Sequence, residues 1–242
     1  MANLRPKTDT GTQLQIDALV FDVLGTLVDE PTGIRAAIGE IGTLRPTPDE
    51  SRVTELLSMW QQHIEGEQRR ILDGDRPYVN SDVLDGEAAR LVAETAGVDD
   101  PAAVTALALS GRRLPPWPDT VTGLARLAER FPLIGLSNAS RRALLGVNAH
   151  AGLRWHQALS AEDARTYKPD PAVYELAVTV TGRPPERLLM VATHAWDLRA
   201  AQAVGLRTAY VARPVGDPPT TADRFDVYAD DLADLAARLD AS

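Results

Sequence analysis

The chain of 242 residues contains no cysteine. Disulfide bonds, a thiol nucleophile and a cysteine-ligated metal are therefore excluded, and this composition suits a reducing compartment such as the cytoplasm. No apolar run approaches the roughly 18 residues that a membrane-spanning helix needs. Residues 1–15 are polar and lack the apolar centre of a signal peptide. The sequence thus predicts a cytoplasmic protein that does not enter a membrane.

Positive charge is also scarce, since 25 Lys and Arg face 34 Asp and Glu, for a formal net charge of -9. An acidic chain of this kind is a poor partner for nucleic acid or for an anionic membrane surface. Hydrophobic residues make up 44% of the chain, which is ordinary for a globular protein. Its length allows either one domain with an insertion or two small domains.

One stretch, residues 19–29, reads Leu-Val-Phe-Asp-Val-Leu-Gly-Thr-Leu-Val-Asp. The apolar residues up to Phe21 are typical of a strand that is buried on both faces of a parallel sheet. Asp22 follows directly, and Gly25 permits a sharp turn. A carboxylate at this end of a strand lies where open α/β sheets bind ligands, and it can act as a nucleophile. The alternative is that Asp22 only caps the turn.

Residues 34–111 have a helical pattern and contain no strand-like run. Apolar residues at helical spacing follow Pro48, namely Val53, Leu56, Leu57, Trp60 and Ile64. Two more helices are predicted at residues 82–96 and 102–109. The Pro-rich residues 115–118 then return the chain to the rest of the molecule. We interpret this block as a helical insertion.

From residue 119 onward, predicted helices alternate with predicted strands. The helices are at 120–130, 141–149, 171–181, 198–204 and 231–239, and the strands are at 133–136, 157–160, 187–192, 207–211 and 226–228. This alternation predicts an α/β fold, a Rossmann-like parallel sheet flanked by helices on both faces. Residues 214–221, rich in Pro and Gly, are predicted to form a plain surface loop.

Polar residues stand at four predicted strand ends, which carry Asp22 to Thr26, Ser137 with Asn138, Lys168, and Asp197. Taken alone, Ser137 and Asn138 are typical of a turn. Lys168 alone is typical of a solvated lysine, and Asp197 of a helix cap. The carboxyl ends of parallel strands meet at one edge of a sheet, so together these residues could form a single site.

With these residues in place, the chain resembles the haloacid dehalogenase superfamily, and within it the L-2-haloacid dehalogenase (type II) branch. The resemblance rests on Phe-Asp-Val-Leu-Gly-Thr-Leu at 21–27, Leu-Ser-Asn at 136–138, Tyr-Lys-Pro-Asp-Pro-Ala-Val-Tyr at 167–174 and Ala-Trp-Asp at 195–197. It implies a Rossmann-like core from residues 14–30 and 112–242, with a helical cap inserted after the first strand at residues 31–111.

The resemblance also implies catalytic roles. Asp22 would attack the halogen-bearing carbon, and Thr26 would position its carboxylate. Lys168 would keep that carboxylate ionised by an opposite charge at close range. Asp197 would help to activate the water that hydrolyses the aspartyl ester. The net reaction would convert a small 2-haloacid and water into a 2-hydroxyacid and halide.

Further residues match positions that bind the substrate or line the site in this family, and they are Leu24, Gln61, Ser137, Asn138, Tyr174, His194 and Trp196. No cofactor and no metal are implied. The expected partner is a small-molecule acid substrate, and the family suggests a homodimer.

Two alternatives stay open at this point. Phosphatases of the superfamily usually carry a second Asp two positions after the nucleophile and bind Mg²⁺ through paired acids in the last motif. Here those positions hold Leu24 and, beside Asp197, Thr193 and His194, which favours dehalogenation. A non-catalytic relative that kept the scaffold is the other alternative.

The chain also departs from the dehalogenase pattern. Gln61 stands where these enzymes usually have an Arg that holds halide or carboxylate, and a neutral amide does not replace a bidentate guanidinium. Arg35, Arg69 or Arg70 could reach in instead. Ser81, Ala192 and His194 replace the usual aromatic, Ser and Asn respectively. These differences concern residues that would bind the substrate more than residues that would carry out the reaction.

Overall fold

A parallel sheet forms the centre of the structure, a computed structural model that describes residues 15–41 and 49–241. Within these residues the strands are β1 (Ala18–Phe21), β2 (Leu133–Ser137), β3 (Gln157–Ser160), β4 (Leu188–Ala192), β5 (Arg207–Val211) and β6 (Val227–Ala229). Their order is β3-β2-β1-β4-β5-β6, and every neighbouring pair is parallel. The end of β1 therefore lies between the ends of β2 and β4.

Both faces of β1 are covered, which explains its continuous apolar sequence. Leu19 and Phe21 belong to one apolar cluster, which includes residues of the helices α5 (Thr120–Ala128), α6 (Arg141–Ala151) and α9 (Leu232–Asp240). Ala18 and Val20 belong to a second cluster, with residues of α7 (Pro171–Thr181) and α8 (Ala195–Val204). The fold is thus a parallel sheet between two layers of helices, as predicted.

The described chain has five α-helices between β1 and β2, and the four that precede α5 will be called the helical insertion, namely α1 (Glu30–Ile41), α2 (Glu50–Leu72), α3 (Ser81–Ala96) and α4 (Pro101–Ala108). Asp49 and Asp100 cap α2 and α4 by accepting hydrogen bonds from backbone N–H groups of the first turns. Arg76 forms ion pairs with Glu67 and Glu87 within the insertion. The Arg76 ion pairs join α2 to α3.

Hydrogen bonds join residues 79–81, between α2 and the start of α3, to the part of the chain that forms the sheet. The Ser81 hydroxyl oxygen accepts one from the backbone N–H of Ser140, at 2.8 Å. The Tyr167 hydroxyl donates another to the carbonyl of Val79, also at 2.8 Å. The Tyr167 side chain is fully buried, so its bond lies out of competition with water.

The structure corrects several predicted boundaries. α8 begins at Ala195 rather than at residue 198, and β6 is displaced by one residue from the predicted strand. Residues 214–221 form a surface loop, as predicted, and this loop also caps α8, because Asp217 accepts hydrogen bonds from the backbone N–H groups of Ala195 and Trp196. Leu14 and Pro48, used in the predicted boundaries, lie outside the described residues. None of the described helices is both long and apolar enough to cross a membrane.

Candidate active site

Asp22 lies directly after β1, at the middle of the carboxyl edge of the sheet. It is 6% exposed, and its two carboxylate oxygens have different donors. Thr26 Oγ1 donates to Oδ2 at 2.7 Å, and Lys168 Nζ donates to Oδ1 at 3.0 Å. A carboxylate held in this way is fixed in direction and mostly withdrawn from water, as a positioned nucleophile should be.

The loop after Asp22 needs glycine at position 25 for two reasons. Gly25 has a φ of +77°, in the left-handed region that favours glycine. In addition, an ideal Cβ at this residue would lie only 2.7 Å from His194 Nε2. The close turn therefore places the His194 ring directly against the loop that carries Asp22.

Lys168 joins two carboxylates. Besides Asp22, its Nζ donates to Asp197 Oδ2 at 2.7 Å, and its side chain is 1% exposed. Burial alone would lower the pKa of Lys168, but the negative charges of Asp197 and Asp22 outweigh it and raise that pKa. The ammonium thus stays charged at the centre of the cluster. Asn138 fixes its backbone by accepting a hydrogen bond from the Lys168 N–H at 2.8 Å.

Asp197 lies in the first turn of α8 and is fully buried. Its Oδ2 accepts the bond from Lys168, and its Oδ1 accepts a 2.5 Å bond from the Tyr174 hydroxyl. Burial raises the pKa of Asp197, and Lys168 opposes that rise. Burial and the neighbouring Asp197 also raise the pKa of Tyr174, which keeps its hydroxyl a donor. The alternative in which Asp197 only caps a helix does not describe the structure, since both of its oxygens accept hydrogen bonds within the cluster.

A second contact connects Thr26 to β4. Its hydroxyl oxygen accepts a 3.0 Å hydrogen bond from the backbone N–H of Thr193 while donating to Asp22. With one bond accepted, the direction of the hydroxyl proton is fixed toward Asp22. The loop after β1 and the end of β4 are in this way held together at the nucleophile.

Ser137 is the last residue of β2, Asn138 follows it, and both shape the neighbouring loop. Ser137 is buried, and its hydroxyl oxygen accepts from the N–H of Ala139 at 3.1 Å. Asn138 contacts the backbone of Lys168, as described above. The structure thus brings both residues to the carboxyl edge, as predicted, where they organise the loop beside Asp22.

Three predicted residues lie further out. Leu24 is partly buried and packs against the apolar cluster that includes Phe21 and the buried residues of α1. Gln61 is exposed on α2, and no hydrogen bond in the described part of the chain joins it to Asp22 or Lys168. Trp196 is 37% exposed, and its ring lies 5.7 Å from that of His194. Of these three residues, only Trp196 has a described contact with another predicted site residue, through its ring contact with His194.

Two acidic side chains that the sequence interpretation missed have raised pKa values, and one of them, Glu30, interacts electrostatically with His194 and Asp22. Burial raises the pKa of Glu30 to about 7; the nearby His194 opposes the rise, and Asp22 adds to it. Burial and the charge of Glu30 raise the pKa of Asp85, on α3. Glu30 opens α1, where an acid is expected to interact with the helix dipole, so its position carried no functional signal. Nothing in the sequence places Asp85 near it.

The described residues contain no group of three or more His, Asp or Glu side chains arranged to hold a metal ion together.

Comparisons of sequence and of structure with known proteins both identify haloacid dehalogenases as similar to this chain. The sequence model of the haloacid dehalogenase-like hydrolases matches residues 16–205. The (S)-2-haloacid dehalogenase of Pseudomonas sp. strain YL is 31% identical over 203 residues, which are 82% of this chain and 83% of that protein. A crystal structure of an L-2-haloacid dehalogenase matches with a TM-score of 0.85 and 34% identity, covering 94% of this chain and 100% of that one. A defluorinating L-2-haloacid dehalogenase matches with a TM-score of 0.84 and 32% identity, over 93% and 95% of the two chains.

Proposed function

The chain belongs to the haloacid dehalogenase-like hydrolases, and we propose that it hydrolyses the carbon–halogen bond of a small 2-haloacid to a 2-hydroxyacid and halide. The observation that carries this proposal is the buried Asp22 carboxylate, held by Thr26 on one oxygen and by Lys168 on the other. The names of the relatives, (S)-2-haloacid and L-2-haloacid dehalogenases, support the same reaction.

In the first step, Asp22 attacks the carbon that bears the halogen. A bond forms between a carboxylate oxygen and that carbon, and the carbon–halogen bond breaks, with its electron pair leaving on the halide. Thr26 and Lys168 fix the direction of the carboxylate, so little freedom is lost as the transition state forms. The product of this step is an ester of the Asp22 side chain.

In the second step, water adds to the carbonyl carbon of that ester. The alcohol oxygen leaves with the 2-hydroxyacid, Asp22 is restored with one oxygen from water, and one proton is released. His194 lies against the loop of Asp22 and is our candidate for accepting the proton from water.

The bonds of Asp197 support a positioning role rather than the predicted water activation. Both of its oxygens accept hydrogen bonds from buried donors, Lys168 and Tyr174. We propose that Asp197 holds the Lys168 ammonium in place, so that Asp22 faces a fixed positive charge in both steps.

We further propose that residues 31–111 act as a cap that closes over the bound acid and excludes water from the first step. The hydrogen bonds from Ser140 to Ser81 and from Tyr167 to Val79 support this, since they attach the helical insertion beside the site. A homodimer and a cytoplasmic location belong to the same proposal. Light scattering of the purified protein would test the first, and fractionation of the native cells the second.

The test is halide release from 2-chloro-, 2-bromo- and fluoroacids, with and without a chelator, beside a general phosphatase substrate. We expect release that survives chelation and is abolished in Asp22→Asn. The matched control is Asp29→Asn on the same loop, whose carboxylate accepts a hydrogen bond from the Thr32 N–H and makes no contact with Asp22 or Lys168 among the described hydrogen bonds. Retained halide release in folded Asp22→Asn would contradict the nucleophile, and chelator-sensitive phosphate release without halide would contradict the proposed reaction.

A single turnover in ¹⁸O-labelled water separates the ester route from direct attack by water. The ester route places the label in the Asp22 carboxylate, which mass spectrometry of the peptide detects, whereas direct attack places it in the 2-hydroxyacid.

A further inference from the structure

The loop that carries Asp22 is held from outside the cluster at two successive carbonyl groups. Trp117 Nε1 donates to the Gly25 carbonyl at 2.9 Å. Arg213 Nε donates to the Thr26 carbonyl at 2.9 Å. Trp117 comes from the segment that follows the helical insertion, and Arg213 from the segment that follows β5. Two distant parts of the chain therefore meet on the three-residue turn between Val23 and Leu27.

Arg213 is an unusual residue to bury for stability alone. Its side chain is 5% exposed, and Nη1 pairs with Asp119 at 2.8 Å. Nη2 is buried and has no hydrogen-bond partner among the described residues. The guanidinium carbon lies 5.8 Å from the centroid of the Trp117 ring, a cation–π contact that offsets part of the lost hydration.

A buried ion pair is weak evidence for stabilisation, because desolvation of the two charges opposes their attraction. An incompletely bonded guanidinium makes that balance less favourable still. What the arrangement does provide is a fixed orientation of two peptide groups. A planar guanidinium with several N–H groups is suited to this task, and Lys, a flexible point charge, is not.

The fixed peptide groups lead directly to the nucleophile. Arg213 holds the carbonyl of Thr26, and the hydroxyl of the same residue donates to Asp22 Oδ2 at 2.7 Å. Rotation of this residue would break that bond together with the one from Thr193 N–H to Thr26 Oγ1. Neither Arg213 nor Trp117 contacts Asp22 by a hydrogen bond in the described structure, so any effect on it passes through Thr26 and its neighbours.

We propose that Arg213 and Trp117 are positioning residues, which hold the loop carbonyls of Gly25 and Thr26 so that the Thr26 hydroxyl stays directed at Asp22. This inference rests on the proposed function only where turnover is concerned. The loop geometry itself can be tested without substrate.

The variants are Arg213→Gln, Arg213→Lys and Trp117→Phe, with Arg207→Gln as the matched control. Arg207 opens β5 at the opposite end of the same strand and pairs with Asp226 at the surface. With a 2-haloacid, we expect kcat to fall about 10- to 100-fold in Arg213→Gln and less in Trp117→Phe, because small misplacements of reacting groups are costly. KM should change little, Arg213→Lys should not restore kcat, and added guanidinium should partly rescue Arg213→Gln. Arg207→Gln should behave like the native chain.

Amide hydrogen exchange of the intact protein gives the second measurement. The Thr193 N–H, which donates to Thr26 Oγ1, should exchange faster in Arg213→Gln and in Trp117→Phe, and at the native rate in Arg207→Gln. Unchanged exchange and unchanged kcat in the Arg213 and Trp117 variants would overturn the proposal, as would a rise in KM alone. If Arg213→Gln fails to fold, Trp117→Phe decides the question, since it removes one N–H and keeps an aromatic ring. Absence of halide release by the native chain would instead count against the proposed function, and the exchange result would still stand.

Discussion

The two sides of the candidate site differ in how completely they are bonded. On the side of the sheet, the cluster of Asp22, Thr26, Lys168, Asp197 and Tyr174 is buried, and the bonds described above join all of its members. On the side of the helical insertion, Gln61 is exposed. Burial raises the pKa of Glu30 and of Asp85, and neither carboxylate forms an ion pair among the described contacts.

This difference separates the chemistry from the recognition of the substrate. The proposed nucleophile, Asp22, has to be aligned before the substrate arrives, and the hydrogen bonds on the sheet side would provide that alignment. Recognition of an acid needs a positive or hydrogen-bonding group that is free to contact it. Gln61 in place of Arg, together with Glu30 near Asp22, makes the insertion side less cationic than the resemblance implies. We therefore expect the reaction to follow the family and the substrate range to differ.

The largest effect is expected from Lys168→Met. Loss of the ammonium leaves Asp22 and Asp197 without their shared cation, and we expect kcat/KM to fall about 10²- to 10³-fold, as for removal of a main electrostatic group of an active site. Breaking a buried charge cluster should also cost about 3–5 kcal/mol in the free energy of unfolding. Halide release and urea denaturation measure the two effects.

A double variant checks the electrostatic cause. Lys168→Met combined with Asp22→Asn removes one of the two unpaired carboxylates, so it should be more stable than Lys168→Met alone. Equal stability of the two would mean that lost packing, not unpaired charge, explains the single variant.

Tyr174→Phe and Tyr167→Phe compare the two sides directly. Both tyrosines are fully buried, but the first donates to Asp197 and the second to the Val79 carbonyl of the insertion. Each lost hydrogen bond should lower the free energy of unfolding by about 1–3 kcal/mol. We expect kcat to fall about tenfold in Tyr174→Phe, whose loss loosens the charge cluster. Tyr167→Phe should mainly change KM, and steady-state kinetics would contradict the comparison if both variants lost kcat equally.

Glu30→Gln tests whether the charge of Glu30 weakens the binding of an anionic substrate. Because its pKa is near 7, Glu30 gains a negative charge as the pH rises from 6 to 8. Repulsion of an anionic substrate by about 0.7–1.4 kcal/mol, for unit charges some 6 Å apart at high effective dielectric, should raise KM about three- to tenfold over that range. In Glu30→Gln this rise should disappear.

Thermal unfolding gives an independent check of the same group. A carboxyl whose pKa is raised on folding binds its proton more tightly in the folded state. Its contribution to stability is therefore fully present below about pH 4.5 and is lost as the pH rises through about 7. The Tm of Glu30→Gln minus that of the native chain should thus increase from pH 5 to pH 8, and a constant difference would exclude the raised pKa.

The smallest effect is expected from Gln61→Ala. An exposed side chain without a bond to the cluster should change kcat/KM by less than about twofold, since surface substitutions are usually near neutral. Gln61→Arg sharpens the test, because a guanidinium brought over the site by closure of the insertion would lower KM for haloacids. A large loss in Gln61→Ala would show that α2 approaches the site more closely during turnover.

Much of the fold could be predicted from local sequence. The periodicity of apolar residues indicates which faces are buried, and Gly and Pro indicate where helices and strands end. The apolar run before Asp22 and the alternation after residue 119 were sufficient for a parallel α/β sheet, and the sheet confirms it. The start of α8 was missed because Ala195 and Trp196 look like a strand-end loop, and the cap that Asp217 provides is distant in sequence. The predicted domain boundaries and the roles of the site residues stay predictions.

Local patterns in the amino-acid sequence were enough to assign the order of the motifs, the buried strands and the residue types at their ends, because each of these depends on near neighbours. The folded arrangement was needed to see that Lys168 contacts both Asp22 and Asp197, that Arg213 donates to the Thr26 carbonyl, and that burial raises the pKa of Glu30 to about 7. Those properties depend on distances between residues far apart in the chain and on exclusion of water around them, and neither quantity is a property of any local segment.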